Sequence, residues 1–207
     1  MAIPTFGEPR KFNTYVDVRY FNTGIPSGIF ETSKVIKPGL KELVAFNARK
    51  QQKMAKGDLS LNRPQFIIVH CSDSTWGTAR EIRKWHLERG FNDIGYNYVI
   101  LNGKLSTDFE LPVLNGSIEV GRWWEIDGAH TIGYNDRSIG ICAIAKDTWT
   151  SAQKLSLIQL CKTLIKQFDI NPDNILGHCE TDSGKKESKT CPNLDMNEIR
   201  KIIKEEL

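Results

Sequence analysis

The sequence predicts a mixed α/β domain over residues 64–207, a central β-sheet with helices packed on its faces, preceded by an extension at residues 1–60. Three observations carry that reading. Short apolar runs rich in β-branched residues, such as Phe66-Ile67-Ile68-Val69 and Ser138-Ile139-Gly140-Ile141, have the continuity of strands buried on both sides. Other segments place apolar residues at helical spacing behind a capping sequence. The two signals alternate along the chain, which is the pattern of a sheet covered by helices.

The extension differs in texture. Its first 30 residues hold Pro4, Gly7, Pro9, Gly24, Pro26 and Gly28 around a short aromatic stretch, and read as loop with one short strand. A helix is expected over about 38–56, with Pro38 in its first turn, Leu40, Leu43, Val44 and Ala48 on one face, and Gly57 ending it. Its other face carries Lys41, Arg49, Lys50, Lys53 and Lys56. A solvated surface is the plainer account of that face; contact with a cell wall, a membrane surface or a partner protein is the sharper one. Gly57 to Pro64 reads as a linker.

The domain opens with Gln65–Val69 running into His70, Cys71 and Ser72. Thr78-Ala-Arg-Glu81 has capping-box spacing and starts a helix through Arg89, closed by Gly90, with Ile82 and Trp85 inward and His86 read as structural. Gly95–Leu101 is a second strand and Asn102-Gly103 a turn signal. Leu105–Leu114 reads as an inserted loop or hairpin, Asn115-Gly116 as a further turn, and Ser117–Val120 as a short strand. Ser138–Ala145 is another buried strand. Thr150-Ser-Ala-Gln153 caps a helix with Leu155, Ile158, Cys161, Leu164, Ile165 and Phe168 on its apolar face. Asp195-Met-Asn-Glu198 starts a last helix, buried through Ile199, Ile202 and Ile203.

Composition bounds the function. The chain is 40% hydrophobic and 26% charged, ordinary values for a soluble globular fold. A net charge of +3 favours a polyanionic surface such as a cell wall and is too small to indicate nucleic acid. No apolar run is long enough to span a bilayer, and the N-terminus lacks a basic patch followed by an apolar stretch, so a cytoplasmic location is expected. The five cysteines are odd in number and not spaced as a disulfide framework, which fits a reducing compartment. Cys142 and Cys161 lie in apolar stretches and read as small core residues.

The chemistry gathers at two histidines. A lone histidine at a strand end is more often a core residue held by one hydrogen bond. His70, however, is matched by Ile175-Leu176-Gly177-His178, and Cys191-Pro192 follows within a short loop. Two imidazoles and a thiolate would give zinc three ligands and leave its fourth position open, the arrangement of a catalytic site. Cys71 and Cys179 each follow a histidine, and alternation turns them to the opposite face.

These segments resemble the zinc-dependent N-acetylmuramoyl-L-alanine amidase family, which includes the phage lysozymes and the peptidoglycan recognition proteins, and the phage endolysin branch above all. The resemblance covers roughly residues 64–205. Phe66–Ser72 resembles the family's first strand and first ligand; Arg80–His86, Gly90-Phe91 and Asp93–Ile100 its helix and tyrosine-bearing strand. Asn115–Arg122, His130–Asn135, Ser138–Gly140, Gly177-His178 and Lys189–Pro192 follow in the family's order. The resemblance implies zinc held by His70, His178 and Cys191, catalysis assisted by Tyr96 and Lys189, and cleavage of the amide between N-acetylmuramic acid and L-alanine in peptidoglycan. It suggests substrate contact or support of the ligands for His130, weighed evenly against a structural role. Leu105–Leu114 has no counterpart in the phage enzymes' short turn, and the longer loop from His178 to Cys191 makes Lys185 and Lys186 rivals of Lys189. The expectation is a monomeric endolysin, kept in the host cytoplasm until released to the wall. A muropeptide-binding protein of the same fold that does not cut, or an amidase with a second, regulatory protein partner, are the alternatives.

Overall fold

In the computed structural model, which describes residues 62–207, five strands form one mixed sheet in the order β3-β2-β4-β1-β5. The helix expected at 38–56, the strand before it and most of the linker lie outside the described residues. Strands β1 (Phe66–Cys71), β2 (Tyr98–Lys104), β4 (Ser138–Ala143) and β5 (Ile175–Gly177) run parallel, and β3 (Glu110–Val120) pairs antiparallel with β2. On one face lie helices α2 (Ser151–Phe168) and α4 (Met196–Glu205), where Leu157, Leu160, Leu164, Ile199 and Ile203 pack with the sheet's Ile67, Val69, Ile139 and Ile141. The other face is thinner: Ile82 of α1 (Ala79–Glu88) meets Ile94, Val99, Leu101, Cys142 and Ile144. At roughly 1.5–3 kcal/mol per buried aliphatic side chain, the first cluster carries most of the stability and the second is free to hold polar groups. His70 pairs in register with Cys142 and shares the thinner face, while Cys71 joins the thicker core.

Helix starts follow the capping sequences. Thr78 accepts the Glu81 amide at 3.2 Å, and the Ala79 amide donates to the Glu119 carboxylate of β3 at 2.6 Å. The box at Thr150 and Gln153 is complete, and the buried Gln153 amide also reaches the carbonyls of Ile100 and Ile144, tying α2 to β2 and to the end of β4. The expected stripe holds at Ile158, Cys161, Leu164 and Ile165, which are buried with Leu157 and Leu160, while Leu155 is 39% exposed. Asp195 caps α4 through the Asn197 and Glu198 amides.

The two Asn-Gly signals do not turn the chain. Asn102 and Asn115 lie opposite each other within the β2–β3 ladder, Gly103 and Gly116 both adopt φ of 86°, and the register shifts on both sides of Asn102. They are bulges, in which glycine takes the left-handed conformation that bends and twists a strand. The reversal falls at residues 105–109, so Leu105–Leu114 is the tip of a hairpin and β3 runs 11 residues.

Candidate metal centre

Sheet register brings the two histidines together. Val69 lies opposite Gly177, so the residues that follow them, His70 near the end of β1 and His178 just past β5, stand side by side with ring centroids 4.6 Å apart. This is the carboxyl edge of parallel strands, where side chains project into the crevice of an α/β sheet. Cys191 returns to the same point on a loop fixed at both carbonyls: the Cys179 amide donates to Cys191 O at 2.8 Å and the Trp149 indole to Pro192 O at 2.9 Å. Gly177 lets Pro192 close on β5, since a Cβ there would stand 2.7 Å from Pro192 Cδ. One nitrogen of each histidine and the Cys191 sulfur then lie within 4.8 Å of one another, a group suited to a single metal ion.

The protonation states fit that use. Burial, then the charges of His130 and His178, push His70 well below the usual histidine range. Burial also lowers His178, reinforced by Lys189 and opposed by Glu187. Neutral imidazole is the form a metal takes. The Cys71 amide donates to Cys191 Sγ at 3.1 Å. The neighbouring Cys71 thiol, then burial, raise Cys191 above the usual thiol range, a preference that a bound cation reverses because it takes the thiolate.

Behind His70 stands His130. His70 Nε2 lies 3.1 Å from His130 Nδ1 and 3.3 Å from Thr131 Oγ1, which leaves Nδ1 toward Cys191 Sγ, 3.9 Å away. His130 Nε2 is 3.4 Å from Ser138 Oγ, and Ser138 donates to Tyr134 O at 2.6 Å. With that hydroxyl proton committed, Ser138 accepts from His130 Nε2–H, and His130 Nδ1 is left to accept from His70 Nε2–H. Burial, then His178 and Arg122, lower His130 to about 3, consistent with the neutral ring. Gly128 and Gly140 make its slot: a Cβ on either would come within 2.5 or 2.6 Å of His130 Cδ2. Asn135 shapes the loop, its side-chain oxygen accepting the His130 and Thr131 amides.

Tyr96 precedes β2, its ring 5.0 Å from His70 and 5.4 Å from His86, with its hydroxyl beside the Cys142 thiol. His86 serves this segment: its Nδ1 accepts the Gly95 amide at 2.8 Å and its ring stacks on Phe91. Lys189 stands where its charge reaches His178, with Nζ 3.2 Å from the Glu187 carboxylate. Lys185, by contrast, acts on Cys179 and Glu180. Thr131, Ser138 and the two glycines around His130 escaped sequence reasoning; the glycine two residues before His130 was the available sign.

The N-acetylmuramoyl-L-alanine amidase family profile matches residues 60–194. The chain belongs to this family. Endolysin from Escherichia phage T7 is 33% identical over 114 residues, 50% of this chain and 68% of the relative. Endolysin from Klebsiella phage KP32 is 30% identical over 142 residues, 63% of this chain and 81% of the relative. Among solved structures, the amidase LysC from Clostridium intestinale URNW superposes with a TM-score of 0.56 at 26% identity, covering 70% of this chain and 87% of that one. The fold class and the peptidoglycan-amidase function expected from the sequence are both borne out. No helix among the amidase's described residues is long and apolar enough to cross a membrane.

Proposed function

We propose that this amidase works as a phage or prophage endolysin, using one zinc ion held by His70, His178 and Cys191 to cleave the amide between N-acetylmuramic acid and L-alanine. The convergence of those three donors, two neutral imidazoles and a sulfur mutually within 4.8 Å, carries the reading. When bound, zinc supplies a Lewis acid with an open position and makes water acidic enough to attack an amide near neutral pH.

The protein groups complete the chemistry. Lys189 leaves Glu187, an exposed partner worth about 0–1 kcal/mol, to face the negative charge that develops on the scissile carbonyl oxygen. One such donor is typically worth about 3–4 kcal/mol in the transition state. Burial, and then the Cys142, Cys191 and Cys71 sulfurs, raise Tyr96 well above the ordinary tyrosine range, so it stays a phenol and a hydrogen-bond donor beside His70. His130 supports catalysis through His70 by fixing which nitrogen faces the metal. Residues 64–207 form the catalytic unit, a monomer that reaches peptidoglycan after release from the host cytoplasm, with 1–60 appended to it. A purely binding relative would have no need of Cys191, Tyr96 and Lys189 together.

The test is digestion of purified sacculi with mass analysis of the products. Stem peptides with free L-alanine N-termini are expected, lost on chelation and restored by zinc. Severed glycan strands, or release indifferent to chelation, would overturn the reading. For His130→Ala, zinc affinity is expected to fall about 10- to 100-fold, the usual effect of removing a partner that orients a ligand. A raised KM with zinc affinity unchanged would instead make His130 a substrate contact.

A further inference from the structure

A second polar network ends one residue from the metal centre. Glu180 closes the 3-10 turn His178–Glu180, which begins with the ligand itself. Its Oε2 accepts the Gly177 amide at 2.7 Å and Arg200 Nη1 at 2.8 Å, while Oε1 accepts Arg200 Nη2 at 2.8 Å. Arg200 Nη1 also donates to Ile175 O on β5 at 2.7 Å, and Nη2 to Asn197 Oδ1 at 2.6 Å. One guanidinium on α4 thus grips both the strand that leads into His178 and the turn that carries it. The pair is largely shielded, with side chains 14% and 30% exposed.

A planar, two-bonded arginine–carboxylate pair fixes direction as well as distance, which a lysine cannot do. Another ion pair from α4, between Lys204 and Asp173, reaches only the 3-10 turn Pro172–Asn174 and is more exposed, at 47% and 66%. It secures the same helix without touching the approach to His178.

From this geometry we infer that Glu180 and Arg200 are positioning residues for His178, making the last helix part of the support that sets the site's affinity for zinc. The inference rests on the zinc reading above. Zinc affinity of the full chain, measured by competition with a chromogenic chelator, tests it on Glu180→Gln, Arg200→Lys and Lys204→Met, with His178→Ala as benchmark. Glu180→Gln and Arg200→Lys are expected to weaken zinc about 10-fold or more, as loss of ligand-orienting partners does. Lys204→Met is expected to stay within about twofold, because an exposed pair remote from the ligand orients nothing. Cobalt-loaded Arg200→Lys should also show altered visible absorption, which a purely structural pair would leave unmoved.

Metal-free melting temperatures separate the two kinds of role. Variants that melt lower yet bind zinc as tightly as wild type would overturn the inference, and Arg200→Lys, which keeps charge and helix, is the variant least prone to unfold. Wild type that binds no zinc, or His178→Ala that binds it equally well, would remove the zinc reading itself and this proposal with it.

Discussion

His178→Ala and Cys191→Ser are each expected to abolish stoichiometric zinc binding and to lower stem-peptide release by roughly three orders of magnitude, because the Lewis acid is lost with its ligands. Each removes one of the three donors that the described residues bring within 4.8 Å of one another. The Cys71 thiol, although hydrogen-bonded to Cys191, is not part of that group, and His130 is occupied by His70 and Ser138. Lys189→Ala and Tyr96→Phe form the necessary contrast. Neither residue belongs to the donor group, so both variants should retain zinc while turnover falls, by about 100- to 1,000-fold for the lysine. Metal content measured beside product release decides between the classes. Full zinc content and full activity in Cys191→Ser would sink the assignment.

How much of this was legible in the sequence depends on the range of the forces involved. Strands β1 and β4 announced themselves because full burial demands unbroken apolar, β-branched residues, and His70 stood out as the residue that breaks the run. His178 and Cys191 were legible once the same apolar run ending in histidine recurred. The Asn-Gly pairs misled because a left-handed glycine serves a bulge as well as a turn, and only the partner strand decides which. On α2 the stripe through Ile158, Cys161, Leu164 and Ile165 was legible, but the burial of Gln153 was not, since its partners are carbonyls 53 and 9 residues away in sequence. His130's station behind His70 was hidden because its slot is cut by Gly128 and Gly140, which lie on different elements. Arg200 looked like any charged residue on an amphipathic helix, since its partners belong to β5 and the turn after it.

Gly184→Ala is expected to lower the melting temperature and to reduce turnover at least about 10-fold, although helix propensity alone predicts the reverse. Gly184 lies in the short helix α3 (Asp182–Lys186), where alanine is ordinarily favoured over glycine by about 1 kcal/mol. It is also buried, and a Cβ there would overlap the carbonyl oxygen of His178. That oxygen is backbone, already accepting the Thr181 amide at 3.1 Å and the Thr181 hydroxyl at 2.8 Å, so no flexible end can swing aside. Either α3 lifts away or the ligand's own peptide moves, and overpacking of this kind typically costs about 1–3 kcal/mol, more than the propensity gain. The disturbance also reaches Lys189, whose amide donates to Gly184 O at 2.9 Å. One added methyl therefore disturbs a metal ligand and the proposed oxyanion donor together. Lys185→Ala, exposed on the same helix, is the control and should change neither quantity appreciably. A Gly184→Ala protein that melts higher than wild type and turns over sacculi at the same rate would show that the loop between the last two ligands yields freely, and that the site is not held as argued.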